Sequence, residues 1–242
     1  MIKLQNISYN YNGSTALEDI SFEVKEGEKV LLMGVNGSGK STLLKLLGAL
    51  IFPQQGVYTF KDEMISKKKL KQNVFNAYFR SKVVMLFQKP DVMLFNPTVY
   101  DELAFGIRQL QVENIDDKVS EWAERLNITH LLDKQPFNLS GGEKKKVALA
   151  SLLIIDPQVF ILDEPFSYLD PQTTEWMIDF LSGLDKTLIL SLHNFKIASL
   201  FSHRLLVLSK NHHLIYNGEF EGFFSSTEKL KDAHMFSKHN TL

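Results

Sequence analysis

The sequence predicts an α/β fold on a mainly parallel sheet, and three observations predict it. Short unbroken apolar runs, Val30-Leu31-Leu32-Met33, Val159-Phe160-Ile161-Leu162, Thr187-Leu188-Ile189-Leu190 and Leu205-Leu206-Val207-Leu208, read as strands buried on both faces. Helical stretches fall between them, an alternation that builds parallel sheets. The first run passes directly into a glycine-rich loop and then an apolar helix. No repeat and no linker rich in Gly, Pro or Ser divides the 242 residues, so residues 1–242 read as a single domain with a sizeable core.

The elements follow in order. Ile2, Leu4, Ile7, Tyr9 and Tyr11 alternate with polar neighbours, with one slip of register at Gln5-Asn6. Asn12-Gly13-Ser14 is a turn, and Leu17 with Ile20 to Val24 resumes the period of two. Glu26-Gly27-Glu28 turns the chain into the first buried strand. Ser41 to Leu50 is apolar nearly all round and reads as a buried helix. Lys61 to Lys82 is basic and reads as solvated surface. Farther on, Val119, Trp122, Ala123 and Leu126 set against Asp116, Asp117, Glu121 and Glu124 mark an amphipathic helix.

Composition narrows the function. At 44% hydrophobic and 23% charged, the chain is neither disordered nor collagenous. Lys plus Arg (27) nearly cancel Asp plus Glu (28), so no global basic field points to nucleic acid, and none is expected as a partner. The absence of cysteine excludes a disulfide scaffold, a cysteine nucleophile and a thiolate metal site. No apolar run reaches the roughly 18 residues that cross a bilayer. The start, Met1 to Asn6, lacks the apolar stretch of a signal peptide, so the chain is expected to stay on the side of the membrane where it is made.

Three stretches carry chemistry. Gly34-Val35-Asn36-Gly37-Ser38-Gly39-Lys40-Ser41 matches the phosphate-binding loop G-x-x-x-x-G-K-[ST] in its required context, after a buried strand and before a helix. There the glycines let backbone N–H groups converge on phosphate oxygens at the helix's positive end. Lys40 reaches the outer phosphates, and Ser41 offers a hydroxyl to Mg²⁺. Val159 to Leu162 ends in Asp163-Glu164, two carboxylates at the carboxyl end of a strand, where such sheets bind ligands. Asp163 is placed for Mg²⁺, and Glu164 to orient and deprotonate a water. Between them, Ser140 and Glu143 in Leu139-Ser140-Gly141-Gly142-Glu143 form a capping box before an apolar helix bearing Val147, Ala150 and Ile154. A cap alone does not ask for two glycines, which are poor helix formers, so the helix start is a second candidate anion site.

Leu139 to Glu143 resembles the signature of the ATP-binding cassette ATPases, and the other motifs fall in that family's order. The resemblance implies a P-loop core with an N-terminal antiparallel β subdomain and an inserted α-helical subdomain, the core being residues 1–88 and 157–242 and the helical subdomain 89–156. It implies that Tyr11 stacks on adenine, and that Gly34, Asn36, Gly37, Ser38, Gly39, Lys40, Ser41 and Thr42 hold the phosphates. Gln88 sits where the family has a glutamine near Mg²⁺ and the attacking water, His193 where it has a switch histidine. Ser167-Tyr168-Leu169-Asp170 resembles the D-loop, and Ser140, Gly141, Gly142 and Asp170 are implied to serve nucleotide across a subunit interface. ATP and Mg²⁺ are the implied cofactors.

Phe87 to Gly106 is similar to the corresponding region of the energy-coupling-factor branch, which takes up cobalt, nickel and vitamins; Met93 stands where that branch favours glutamine. The implied function is the ATP-hydrolysing subunit of a membrane importer, peripheral on the cytoplasmic face of the membrane. Its implied partners are a second copy or a similar ATPase subunit, a membrane-spanning subunit and a substrate-binding membrane component. The alternatives are an ATPase of another transporter class of the family and a soluble, non-transport member. The apolar stretch Val92 to Phe95, with Val99, Leu103, Ala104 and Phe105, reads either as core or as a groove for a helix of the membrane subunit.

Overall fold

The computed structural model describes residues 1–201, 204–226, 230, 231 and 233. Strands β1 (Ile2–Tyr11) and β2 (Ser14–Val24) form an antiparallel hairpin. Its two turn residues, Asn12 and Gly13, have φ of 47° and 88°, the left-handed pair that matches strand twist in a tight hairpin. The register shifts between Leu4 and Ile7, where Asn6 takes φ 50°, so the slip read from the sequence is a bulge. It keeps Ile2, Leu4 and Ile7 all in the core.

Strand β3 (Lys29–Gly34) leads into the glycine-rich loop and helix α1 (Lys40–Leu47). This helix ends three residues short of the apolar pattern. Gly48 N–H bonds to Leu44 O, and Leu50 N–H reaches back to Lys45 O around Ala49 at φ 49°, which closes the last turn and leaves Leu50 exposed. Strands β4 (Gln55–Phe60) and β5 (Glu63–Met64) complete a four-stranded sheet of order β2-β1-β4-β5. The basic stretch contains helix α2 (Asn73–Lys82), which buries Phe79 and leaves Val74 and Tyr78 exposed.

After β6 (Val83–Leu86) the chain makes only helices until β7 (Val159–Asp163): α3 (Val99–Gln109), α4 (Ile115–Arg125), α5 (Gly141–Leu153) and short 3₁₀ turns. Then come α6 (Pro171–Ser182), β8 (Thr187–Ser191), α7 (Phe195–Ser199), β9 (Arg204–Leu208), β10 (Leu214–Glu219) and α8 (Phe220–Phe224). The second sheet has the order β10-β9-β3-β8-β7-β6, parallel except for β10. Its edge strands β6 and β10 are the ones missing from the sequence reading.

Successive residues of β3 point to opposite faces and enter different cores. Leu31 and Met33 pack with α3 and α5, while Val30 and Leu32 pack with α1 and the antiparallel sheet. Burial on both faces explains the unbroken apolar runs. It also leaves only the carboxyl ends of the strands free for polar residues, and the site forms there.

Candidate active site

Three neighbouring strands end side by side in the order β3, β8, β7, and each contributes one part of the site. From β3 comes the glycine-rich loop. Gly37 and Gly39 take φ of 81° and 105°, and a Cβ on Gly39 would lie 2.2 Å from Ala16 O, so the loop is pressed against β2 where no side chain fits. Lys40 is buried, and its Nζ donates to Gly34 O at 2.9 Å and Val35 O at 3.1 Å, straddling the loop. Burial lowers its pKa, and the nearby Glu164 and Asp163 carboxylates oppose that shift. Ser38 Oγ is buried without a hydrogen-bond partner among the described residues.

From β7 come Asp163 and Glu164, and from β8 comes Ser191, which ties them together. Ser191 Oγ donates to Asp163 Oδ1 at 2.6 Å and accepts from Glu164 N–H at 2.9 Å. Glu164 turns at φ 45°, which swings its side chain off the strand. Its Oε2 accepts from Gln88 Nε2 at 2.7 Å and Ser167 Oγ at 3.0 Å, with His193 Nδ1 at 3.6 Å. Gln88 and His193, distant in sequence, thus meet on the same carboxylate oxygen.

These groups face a cavity of about 750 Å³. The loop and α1 supply Asn36, Gly37, Gly39, Lys40, Ser41 and Thr42; the antiparallel sheet supplies Tyr11, Thr15 and Ala16. Gln88, Glu164, Tyr168 and His193 line the opposite part, and His212 completes the wall. Gly34, Ser38 and Asp163 are buried behind it.

Ser140, Gly141, Gly142 and Asp170 do not line this cavity. Asp170 caps α6, accepting from Thr173 N–H at 2.9 Å. Ser140 caps α5 in the expected box: its Oγ accepts from Glu143 N–H at 3.3 Å, and Glu143 Oε2 accepts from Ser140 N–H at 2.8 Å. Those bonds to Ser140 hold the Glu143 carboxyl below its usual pKa. Gly141 is exposed, and a Cβ built on it meets nothing within 4 Å. The fold of one chain therefore gives no reason for a glycine at 141.

Sequence reasoning passed over Lys145, Ser191 and His212 as site residues. Lys145 is almost fully buried on α5, and its Nζ donates to Pro165 O at 2.5 Å, Ser167 O at 2.7 Å and Glu164 O at 3.4 Å. It pins the strained segment in which Glu164 and Tyr168 both have positive φ. Nothing local in the sequence marks these three residues, because each acts through a partner far along the chain.

The described residues hold no cluster of three or more His, Asp or Glu poised for a metal. One serine hydroxyl, one amide and one carboxylate, as at Ser41, Gln88 and Asp163, fit an ion such as Mg²⁺ that keeps waters and takes its remaining ligands from phosphate oxygens.

A second concave surface lies beyond Gln88. Val92, Phe95 and Phe105 are exposed along a groove of about 360 Å³ whose other wall includes Leu50 and Arg80. The Phe95 and Phe105 rings meet edge to face at 5.1 Å. Buried Glu102 fixes this loop, its Oε2 accepting from the N–H groups of Phe95 (3.0 Å) and Asn96 (2.8 Å). Val99, Leu103 and Ala104 are fully buried, so the core reading holds for them and the exposed apolar surface belongs to Val92, Phe95 and Phe105. Met93 is half-buried against the core, with Phe87 N–H 3.4 Å from its sulfur.

Residues 17–167 match the sequence profile of the ABC transporter family. The chain belongs to this family. Like other ABC ATPases it binds ATP and hydrolyses it. The nickel import ATP-binding protein LarO of Lactiplantibacillus plantarum is 39% identical over 88% of this chain and 90% of its own length. The energy-coupling factor transporter ATP-binding protein EcfA of Methanothermobacter thermautotrophicus is 36% identical over 97% of this chain and 76% of its own. Among solved structures, cbiO1 of Clostridium perfringens, part of the ABC transporter complex cbiONQ, superposes with a TM-score of 0.80 at 31% identity, covering 97% of this chain and 94% of that one. No helix of this ABC ATPase, among the described residues, is long and apolar enough to cross a membrane.

Proposed function

We propose that the chain powers a membrane importer of the energy-coupling-factor type, for a vitamin or a transition-metal ion. It acts on the cytoplasmic face of the membrane, as a dimer with a second copy or a similar ATPase subunit. The observation that carries the dimer is Gly141: an exposed glycine with open space around it, at a helix start bearing the family signature, outside the chain's own nucleotide cavity. Its lack of a side chain is explained by the close approach of something from outside, namely the nucleotide held on the partner's loop. The likeness to LarO, EcfA and cbiO1 supports the transporter class.

In this reading Glu164 is the general base. Gln88 and Ser167 donate to one of its oxygens, which orients the carboxylate toward the water to be deprotonated. His193, 3.6 Å from the same oxygen, steadies the water and the outermost phosphate. Lys40 leaves the Gly34 and Val35 carbonyls to pair with phosphate oxygens, and Tyr11 stacks on adenine. Mg²⁺, when bound through Ser41, Gln88 and Asp163, neutralises charge on the phosphates. Asp170 stiffens the D-loop at the subunit interface through its cap on α6.

The groove beside Gln88 receives a helix of the membrane-spanning subunit, which in turn holds the substrate-binding component. Because Gln88 touches Glu164 while the residues after it wall the groove, movement at the nucleotide reaches the groove directly. Purification of the tagged chain from its host in mild detergent tests this. A co-purifying integral membrane protein of many spans is the expected result, and recovery of the ATPase alone would favour a soluble role.

A further inference from the structure

His212 lies in the turn between β9 and β10, on the wall of the ATP cavity. Its main chain is fixed on two sides: its N–H donates to Ser209 O at 3.1 Å, and its carbonyl accepts from Glu18 N–H of β2 at 3.0 Å. The next residue braces the same strand, with His213 Nδ1 3.1 Å from Glu18 O. Thr15 and Ala16, just before Glu18 on β2, line the cavity together with Tyr11. The ring is therefore held on the antiparallel-sheet side of the cavity, the side of Tyr11.

The imidazole has no hydrogen-bond partner among the described residues, and its Nδ1 is sealed from solvent. The backbone holds it there at φ 67°, a conformation uncommon outside glycine, so the placement is maintained against strain. A neutral imidazole carries one proton, and a buried N–H without an acceptor is the rarer kind of orphan. The proton of the neutral ring therefore belongs on Nε2, which makes Nε2–H a donor that no described residue uses.

We propose that His212 reads the nucleoside half of ATP, donating from Nε2 to an acceptor on the base or the ribose. Anionic phosphates are matched by the loop N–H groups and Lys40, whereas a neutral donor on the Tyr11 side matches the uncharged end of the nucleotide. The proposal rests on ATP occupying this cavity. It makes His212 a specificity-determining residue that acts on affinity and leaves the chemical step alone.

The test compares ATP with inorganic tripolyphosphate as ligands, by equilibrium titration and by steady-state kinetics. His212→Gly keeps the turn, because glycine takes φ 67° without strain. Its Kd and KM for ATP are expected to rise about 2- to 12-fold, the worth of one neutral hydrogen bond. Its kcat at saturating ATP and its affinity for tripolyphosphate should match the wild type. His212→Gln, which restores a side-chain N–H at similar reach, should recover part of the loss. If the acceptor is a ribose hydroxyl, 2′- or 3′-deoxy-ATP binds the wild type more weakly than ATP but binds the glycine variant as well as ATP does; if it is a base nitrogen, the 1-, 3- or 7-deaza-ATP that lacks it shows that pattern. Unchanged ATP affinity in His212→Gly, or equal losses for ATP and tripolyphosphate, would overturn the proposal. Should the glycine variant melt early, the wild type decides: failure to prefer ATP over any of these deoxy and deaza analogues overturns it. Lys40→Ala, run alongside, reports on the cavity itself, since it should lose tripolyphosphate whatever His212 does.

Discussion

Glu164 shows how much of the site depends on single residues. Its carboxylate sits at a strand end and collects Gln88, Ser167 and His193 around one oxygen. Glu164→Gln keeps the shape but removes the base, so ATP affinity should stay near wild type while turnover falls about 10²- to 10⁴-fold, measured by phosphate release. Wild-type turnover would remove Glu164 from the mechanism. Lys145 has the opposite character, a cation buried among three carbonyls beneath the catalytic segment. Burial lowers its pKa to about 8 from 10.5, partly opposed by Glu164. Between those values the unfolded chain holds a proton that the folded chain has released, so this residue's contribution to stability rises with pH across that window. The stability of the wild type minus that of Lys145→Met, from urea melts, should therefore increase by as much as a few kcal/mol from about pH 8 to pH 10.5 and stay flat below pH 7. A difference independent of pH would mean that Lys145 titrates normally. Glu164 was legible in the sequence because an acidic pair after an apolar run is a local pattern. Lys145 and His212 were not, since the carbonyls around Lys145 and the β2 strand that holds the His212 main chain lie elsewhere in the chain.

At the scale of elements, the proposed reading gives one turn of α5 two tasks. Its first residues satisfy one another through the capping box, which the sequence announced three residues apart, and the same turn carries the two glycines of the family signature. Because a methyl at position 141 meets nothing within 4 Å among the described residues, Gly141→Ala should leave the isolated subunit as stable as before, or up to about 1 kcal/mol more so from the better helix propensity. ATP-driven dimerisation and hydrolysis should fall, as read by gel filtration and phosphate release. Unimpaired dimerisation would sink the composite site. Among the elements that escaped sequence reading are β4, β5 and α2, and in the parallel sheet β6 and β10. Val83 to Leu86 of β6 is an apolar run as long as those read as strands and was passed over just after the stretch read as basic surface, while β10 only half-buries alternate residues on an edge. The end of α1 escaped for another reason: Ala49 and Leu50 continue the apolar pattern, but a hydrogen-bonded turn at Gly48 outweighs it.

Across the whole molecule, two concave surfaces are joined by one short segment, Gln88 to Phe95, whose ends face the nucleotide and the groove. Phe95 is exposed and held by Glu102 through main-chain bonds alone, so Phe95→Glu should fold normally and hydrolyse ATP as an isolated subunit. It should fail to co-purify with the membrane subunit; retained assembly would place the docking surface elsewhere. The insertion of the helices between β6 and β7 also governs how the chain is made. Val83 to Leu86 must pair with Val159 to Leu162, strands that leave a ribosome far apart. Closing so long a loop is slow, and until it closes the edge of β6 that meets β7 in the finished sheet is bare. That edge is a template for wrong pairing with other chains. Nascent chains of this ATPase therefore pass through an aggregation-prone interval until β7 has emerged, and yield in a host will be sensitive to translation speed and chaperone supply.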